Sequence, residues 1–203
     1  MVSMDASDAI LLVTQLAMGF ALAATVGLRA FLPLFVAGLL ARHGYVSLGE
    51  SFEWMESTPA LIVFGSAVVF EILADKIPMI DHALDAAGVF IKPVAGTLVA
   101  AALLTKVDPV VATVLGLIGG GAIAGTVHAV KGTARIFSTG TTAGAGNPIL
   151  SFIEDAVATF GIVIAVLVPI LAAILVLGLV VLGVRIFRQR RMGSDSDRGL
   201  QPR

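Results

Sequence analysis

The sequence predicts an all-α, multi-pass transmembrane helical bundle, and three observations predict it. Hydrophobic residues make up 58% of the 203-residue chain and charged residues only 13%, where a soluble domain carries about 25% charged residues. The mean hydropathy is +1.01. The apolar residues gather into runs near the length a bilayer requires, about 20 residues each. A chain this apolar cannot cover itself with polar surface, so lipid is its expected solvent. The length suits one compact bundle. The net charge of −1 argues neither for nor against nucleic acid, and the absence of cysteine excludes disulfides, thiolate metal sites and cysteine nucleophiles.

Residues 1–9 hold Asp5 and Asp8 but no lysine or arginine. A cleaved leader needs a basic start and a short apolar core, so the first apolar run is expected to be retained. Six spans are expected. The first, residues 10–40, is over-long and contains Arg29 and Pro33, so it should bend, break or tilt. The second covers about 59–74. The third, about 86–104, is interrupted by Lys92-Pro93; its clean apolar part is short enough to suggest a re-entrant segment. The fourth covers about 109–130, the fifth 148–168 and the sixth 170–186. Pro169 divides the last two, because proline gives up a helical hydrogen bond and clashes with the preceding turn.

Lysine and arginine concentrate in cytoplasmic loops. With the N-terminus in the cytoplasm, ten such residues fall inside and only Arg42 and Lys106 outside. Both termini are then cytoplasmic, and the loop holding Glu50, Glu53, Trp54 and Glu56 is external. Residues 188–203 read as a basic, disordered tail.

Landmarks recur in order. Residues 21–26 (Ala-Leu-Ala-Ala-Thr-Val) match 122–127 (Ala-Ile-Ala-Gly-Thr-Val), followed by Arg29 and Lys131. Thr58-Pro59 opens one span and Asn147-Pro148 another. Three spans per repeat is an odd number, so two repeats, about 10–105 and 109–187, predict a 3+3 inverted arrangement, as in many secondary transporters.

Ionisable groups in the hydrocarbon layer are costly and therefore informative. Glu71, Asp75, Pro78, His82 and Asp85 step by four and three, but Pro78 should end or kink the helix and leave Asp81, His82 and Asp85 near the membrane surface. His128, Lys131 and Arg135 share one helical face. Two readings stay open: an acidic and a basic face pair to hold the bundle together, or Arg29, Glu71, Asp75, His128, Lys131, Arg135, Glu154 and Asp155 line a pathway. Mutual pairing in a dry core would count against the pathway. Asp81, His82 and Asp85 are oxygen and imidazole donors for a divalent metal, without a recognised signature. The small-residue stretch 138–148, with Ser138, Thr139, Gly140, Gly144, Gly146 and Asn147, is either a connector or a loop whose amides hold a phosphate or lipid headgroup. Gly116, Gly119, Gly120, Gly121 and Gly125 permit close helix packing. Neither a His-Glu-x-x-His nor a Gly-x-Ser-x-Gly motif is present, so no enzyme and no cofactor are expected.

The strings at residues 27–34 (Gly-Leu-Arg-Ala-Phe-Leu-Pro-Leu), 70–78 (Phe-Glu-Ile-Leu-Ala-Asp-Lys-Ile-Pro) and 81–85 (Asp-His-Ala-Leu-Asp), with residues 128–131 and 146–148, resemble a bacterial membrane family catalogued as domain of unknown function 4126. The resemblance covers about residues 15–175 and implies a small integral membrane protein, with no activity or site residues to carry over. The expected function is a small transporter or permease with a charged intramembrane pathway. Its expected partners are the bilayer and an ion or small anionic solute, and the bundle is compatible with a homo-oligomer; no nucleic acid is expected. The alternatives are a membrane scaffold or assembly partner, and an intramembrane enzyme or headgroup binder.

Overall fold

The computed structural model describes residues 5–75, 77–142 and 145–169, with Leu171, Ile174, Gly178, Val181, Leu182 and Arg185; of Pro78, Met79 and His82 it describes the backbone. The expected sixth span and basic tail thus lie largely outside the described residues. Those described are helical, with no strand among them. In order they form α1 (Ala6–Leu28), α2 (Leu32–Arg42), a 3-10 segment (Glu50–Glu56), α3 (Thr58–Ala74), α4 (Pro78–Ala102), α5 (Pro109–Leu115), a π segment (Gly116–Gly121), α6 (Ala122–Thr142) and α7 (Asn147–Leu167). Among the described residues, four helices are long and apolar enough to cross a membrane, or up to five if the bent pair of Glu50–Glu56 and α3 counts as one span.

The over-long first run does not cross once. It breaks at Arg29–Phe31, and α2 turns back. Gln15 of α1 donates to Thr105 at 2.7 Å, and Lys106 lies 2.6 Å from Asp8, so the start of α1 lies at the end of α4. The Gly49 amide donates to the Ala102 carbonyl at 2.7 Å, which brings the loop after α2 to that same end. Arg42 donates to Thr58 at 2.8 Å where α3 sets out. α1 and α2 therefore form a hairpin entered and left at one end, here the near end. α3 runs away from it, α4 returns, α5 and α6 run away, and α7 returns.

Three expectations change accordingly. The break falls in the first apolar run and not in the third: α4 is one 25-residue helix with Pro93 inside it, about 37 Å long at 1.5 Å per residue. Proline interior to a helix is tolerated in membrane proteins; Thr97, one turn later, bonds back through its hydroxyl to the Pro93 carbonyl. The start of α1 shares an end with Arg42 and Lys106, so the expected placing of those two residues on the opposite side from it does not hold. The repeat also fails its geometric requirement. Gly27 packs on Val127, and Gly119 packs on Phe20, so the matched strings of α1 and α6 lie side by side and run the same way. Matched helices of an inverted repeat run in opposite directions.

Local chemistry explains the helix ends. Asp5 caps α1 through the Ser7 amide, Ser57 caps α3 through the Ala60 amide, and Asp108 caps α5 through the Val110 and Val111 amides. Prolines occupy the first turns of α2, α3, α4, α5 and α7, where the missing N–H costs nothing. α7 ends at Leu167, and Val168 before Pro169 has left the helical region that a following proline disfavours, at φ −138° and ψ 68°. The glycine-rich π segment seats against α4: a Cβ on Gly120 would lie 2.4 Å from the Gly96 carbonyl oxygen, and one on Gly116 2.6 Å from the Thr97 carbonyl oxygen. Small residues let backbones approach where lipid supplies no hydrophobic drive between helices.

The Lys106–Asp8 pair is exposed. Asp8 holds the Lys106 ammonium above its ordinary range, so any contribution is present at neutral pH and lost as pH rises past the ordinary lysine range. Solvent screening makes such pairs weak; Asp8→Asn is expected to leave the thermal melting of detergent-solubilised protein unchanged.

Candidate functional site

Where α1 stops, its last carbonyls and the first amides of the following turn point into the bundle without helical partners. Buried side chains from other helices take both. Lys92, 4% exposed, donates to the Gly27 carbonyl at 3.1 Å and the Leu28 carbonyl at 3.2 Å. Glu71 accepts from the Ala30 amide at 2.9 Å and the Phe31 amide at 3.4 Å. A cation thus sits on the carbonyl end of one helix and an anion on the amide end of the next, the polarity the helix dipole favours. Lys92 lies ten residues before the end of α4, about 15 Å along its axis, so the break is well inside the bundle.

Between the break and the far end lies a connected cluster of charges. Arg29, 1% exposed, places Nη1 2.5 Å from Asp75 Oδ2, pairs with Asp155, and donates to the Ser151 hydroxyl at 3.2 Å. Ser151 in turn donates to Asp75. Arg135 holds Glu154 with two nitrogens, at 3.2 and 2.9 Å, the bidentate geometry that only a guanidinium provides. It also pairs with Asp81, Asp85 and Asp75. Lys131 lies 3.2 Å from Glu154 and 3.5 Å from Asp85. His128 donates from Nε2 to the Asp85 carbonyl at 3.0 Å, which leaves its Nδ1 buried and without a partner among the described residues. Arg29 Nε is buried and unpartnered in the same sense. A pocket of about 40 Å³ borders the cluster, lined among others by Glu71, Asp75, Asp85, Lys92 and Lys131; one water needs roughly 10–15 Å³ of such volume. An open groove of about 420 Å³ between α4 and α6 reaches Asp85 and His128 from the other side.

All eight expected pathway residues fall in this cluster. The basic face of α6 is one face, with His128, Lys131 and Arg135 all buried. The acidic set is not on one helix, because α3 ends at Ala74 and α4 begins at Pro78; Asp75 and Asp85 converge on the cations from two helices. Asp81 is not a free surface carboxylate: it is buried against Arg135. That arrangement also turns two of the three expected metal donors toward a guanidinium. The His82 side chain lies outside the described residues, among which no group of three His, Cys, Asp or Glu is arranged for a metal. The expected phosphate loop is mostly helix. Ser138, Thr139 and Gly140 belong to α6, whose final turn continues to Thr142. The Gly146 amide is taken by the Thr142 hydroxyl, Asn147 donates to Thr139, and Gly144 lies outside the described residues. Amides already bonded within the connector are not available to an anion.

Lys92 and Ser151 were missed as site residues. The signal for Lys92 was its charge within an apolar run; adjacency to Pro93 disguised it as a loop cation. Ser151 carried no signal beyond its position one turn before Asp155.

No curated protein and no solved structure matches this chain. One family model does, that described as Domain of unknown function (DUF4126), over residues 16–189. With most of its length matched, the chain belongs to that family.

Proposed function

We propose that this protein is a small ion-coupled transporter or permease of the bacterial inner membrane, with the charge cluster as its pathway. The observation that carries this reading is the interrupted α1–α2 hairpin, whose free carbonyls and amides face a buried cation and a buried anion. Interrupted helices with this polarity form the solute and ion sites of many secondary transporters. The balance of charge favours a cation or proton over an anion. Among the described residues, six carboxylates (Glu71, Asp75, Asp81, Asp85, Glu154, Asp155) meet four permanent or ammonium cations (Arg29, Lys92, Lys131, Arg135), an excess of two negative charges when all are ionised.

One specific observation favours a second reading, a static scaffold. Arg29, Lys131 and Arg135 each engage at least two carboxylates, as an ion-pair lock would. Solid-supported-membrane currents from reconstituted protein separate the two. Jumps of pH, Na⁺, K⁺ and small amine or carboxylate solutes are expected to give a current that Glu71→Gln abolishes while the protein stays folded. Silence of the wild type across the panel, with no solute-dependent current, would favour the lock.

A further inference from the structure

Lys92 differs from the other cations of the cluster. Arg29, Lys131 and Arg135 each lie in ion-pair range of carboxylates; Lys92 has none in that range among the described residues, and its two hydrogen bonds go to neutral carbonyls. The charged and titratable groups around it come from three neighbouring segments: Glu71 on α3 and Asp75 at its end, Asp85 on α4 itself, and His128 and Lys131 on α6. It shares the 40 Å³ pocket with Glu71, so the two side chains that pin the hairpin break face a common space.

Building on the transport reading above, we propose that the coupling ion is the proton and that Lys92 carries it. The proton passes from Lys92 Nζ to the Glu71 carboxylate across the shared pocket. One N–H bond breaks, one O–H bond forms, and the opposite charges on the two groups vanish together. Hydrogen bonds with an ionised partner are roughly twice as strong as neutral ones. A single transfer therefore weakens the grip of Lys92 on the α1 carbonyls and that of Glu71 on the Ala30 and Phe31 amides. Loss of the proton from Glu71 to the bulk restores that carboxylate to the Ala30 and Phe31 amides and leaves a neutral amine on the α1 carbonyls, so the break is pinned on one side only and the end of α1 can move.

Hydrogen–deuterium exchange of the full-length reconstituted protein tests this without a known solute. After correction for intrinsic exchange, wild-type protection over residues 24–34 is expected to fall by about tenfold or more from neutral to alkaline pH, as the pinned break opens locally. Lys92→Arg keeps a cation that does not deprotonate, and its protection should not vary with pH. Lys92→Met should be weakly protected at every pH. Should the methionine variant fail to fold, the wild-type and arginine proteins still decide. A wild-type profile as flat as that of Lys92→Arg overturns the proposal. The same samples on the supported membrane keep the two readings apart. A pH-sensitive break in a protein that gives no current leaves Lys92 as a proton site and removes transport. A current that survives in Lys92→Arg with unchanged pH dependence removes Lys92 as the carrier and leaves transport standing.

Discussion

Replacing Arg135 with methionine is expected to unfold the far half of the bundle. The guanidinium holds Glu154 with two nitrogens and also contacts Asp75, Asp81 and Asp85. All but Asp85 are buried or nearly so. Methionine fills a similar volume but leaves Asp81 with no cation among the described residues, and leaves Asp75 to Arg29 and Asp85 and Glu154 to Lys131 alone, in a poorly solvated site. Removing one partner of a buried pair costs about 3–5 kcal/mol, a large part of the total stability of a domain. The measurement is thermal unfolding in detergent followed by circular dichroism. Because the shortage of cations for these acids is the cause, Arg135→Met/Glu154→Gln should recover part of the loss. Additive losses in the double variant would show that the two residues are not coupled.

Gly96→Ala is the second large effect. A Cβ at position 96 would lie 2.5 Å from the Ala124 Cβ and 2.7 Å from the Gly120 carbonyl oxygen. The obstruction is backbone and a short side chain, so relief requires α4 and α6 to separate. Overpacking of this kind costs about 1–3 kcal/mol, occasionally more. The same separation pulls the Asp85 end of α4 from Lys131 and His128, so the cluster should loosen with the seam. A Cβ added at Gly140, also on α6, would meet nothing within 4 Å, and alanine there is expected to be neutral or slightly stabilising through helix propensity. Equal melting temperatures for Gly96→Ala and wild type would refute the close seam.

Individual residues show how far the sequence reaches. Composition points to lipid as the solvent, because so apolar a chain cannot cover itself with polar surface. The starts of α3 and α7 were readable from Thr58-Pro59 and Asn147-Pro148, and the end of α7 from Pro169, because proline acts on its own few residues. The clustered acids and bases were readable as unusual, since charge in a lipid-facing chain demands a partner. Periodicity likewise placed His128, Lys131 and Arg135 on one face of α6.

What the sequence alone determined is therefore local: lipid as solvent, helix as the element, proline and capping residues as its ends, and a set of charges that must meet something. Only the tertiary structure decided what they meet. The turn-back of α2, the shared end of Asp8 and Lys106, the parallel run of α1 and α6, and the seating of Lys92 on the carbonyls of Gly27 and Leu28 are contacts between residues up to about a hundred positions apart. No local propensity encodes them. They follow from which helix faces are small enough to approach and which buried charges find opposite partners, and both are properties of the assembled bundle.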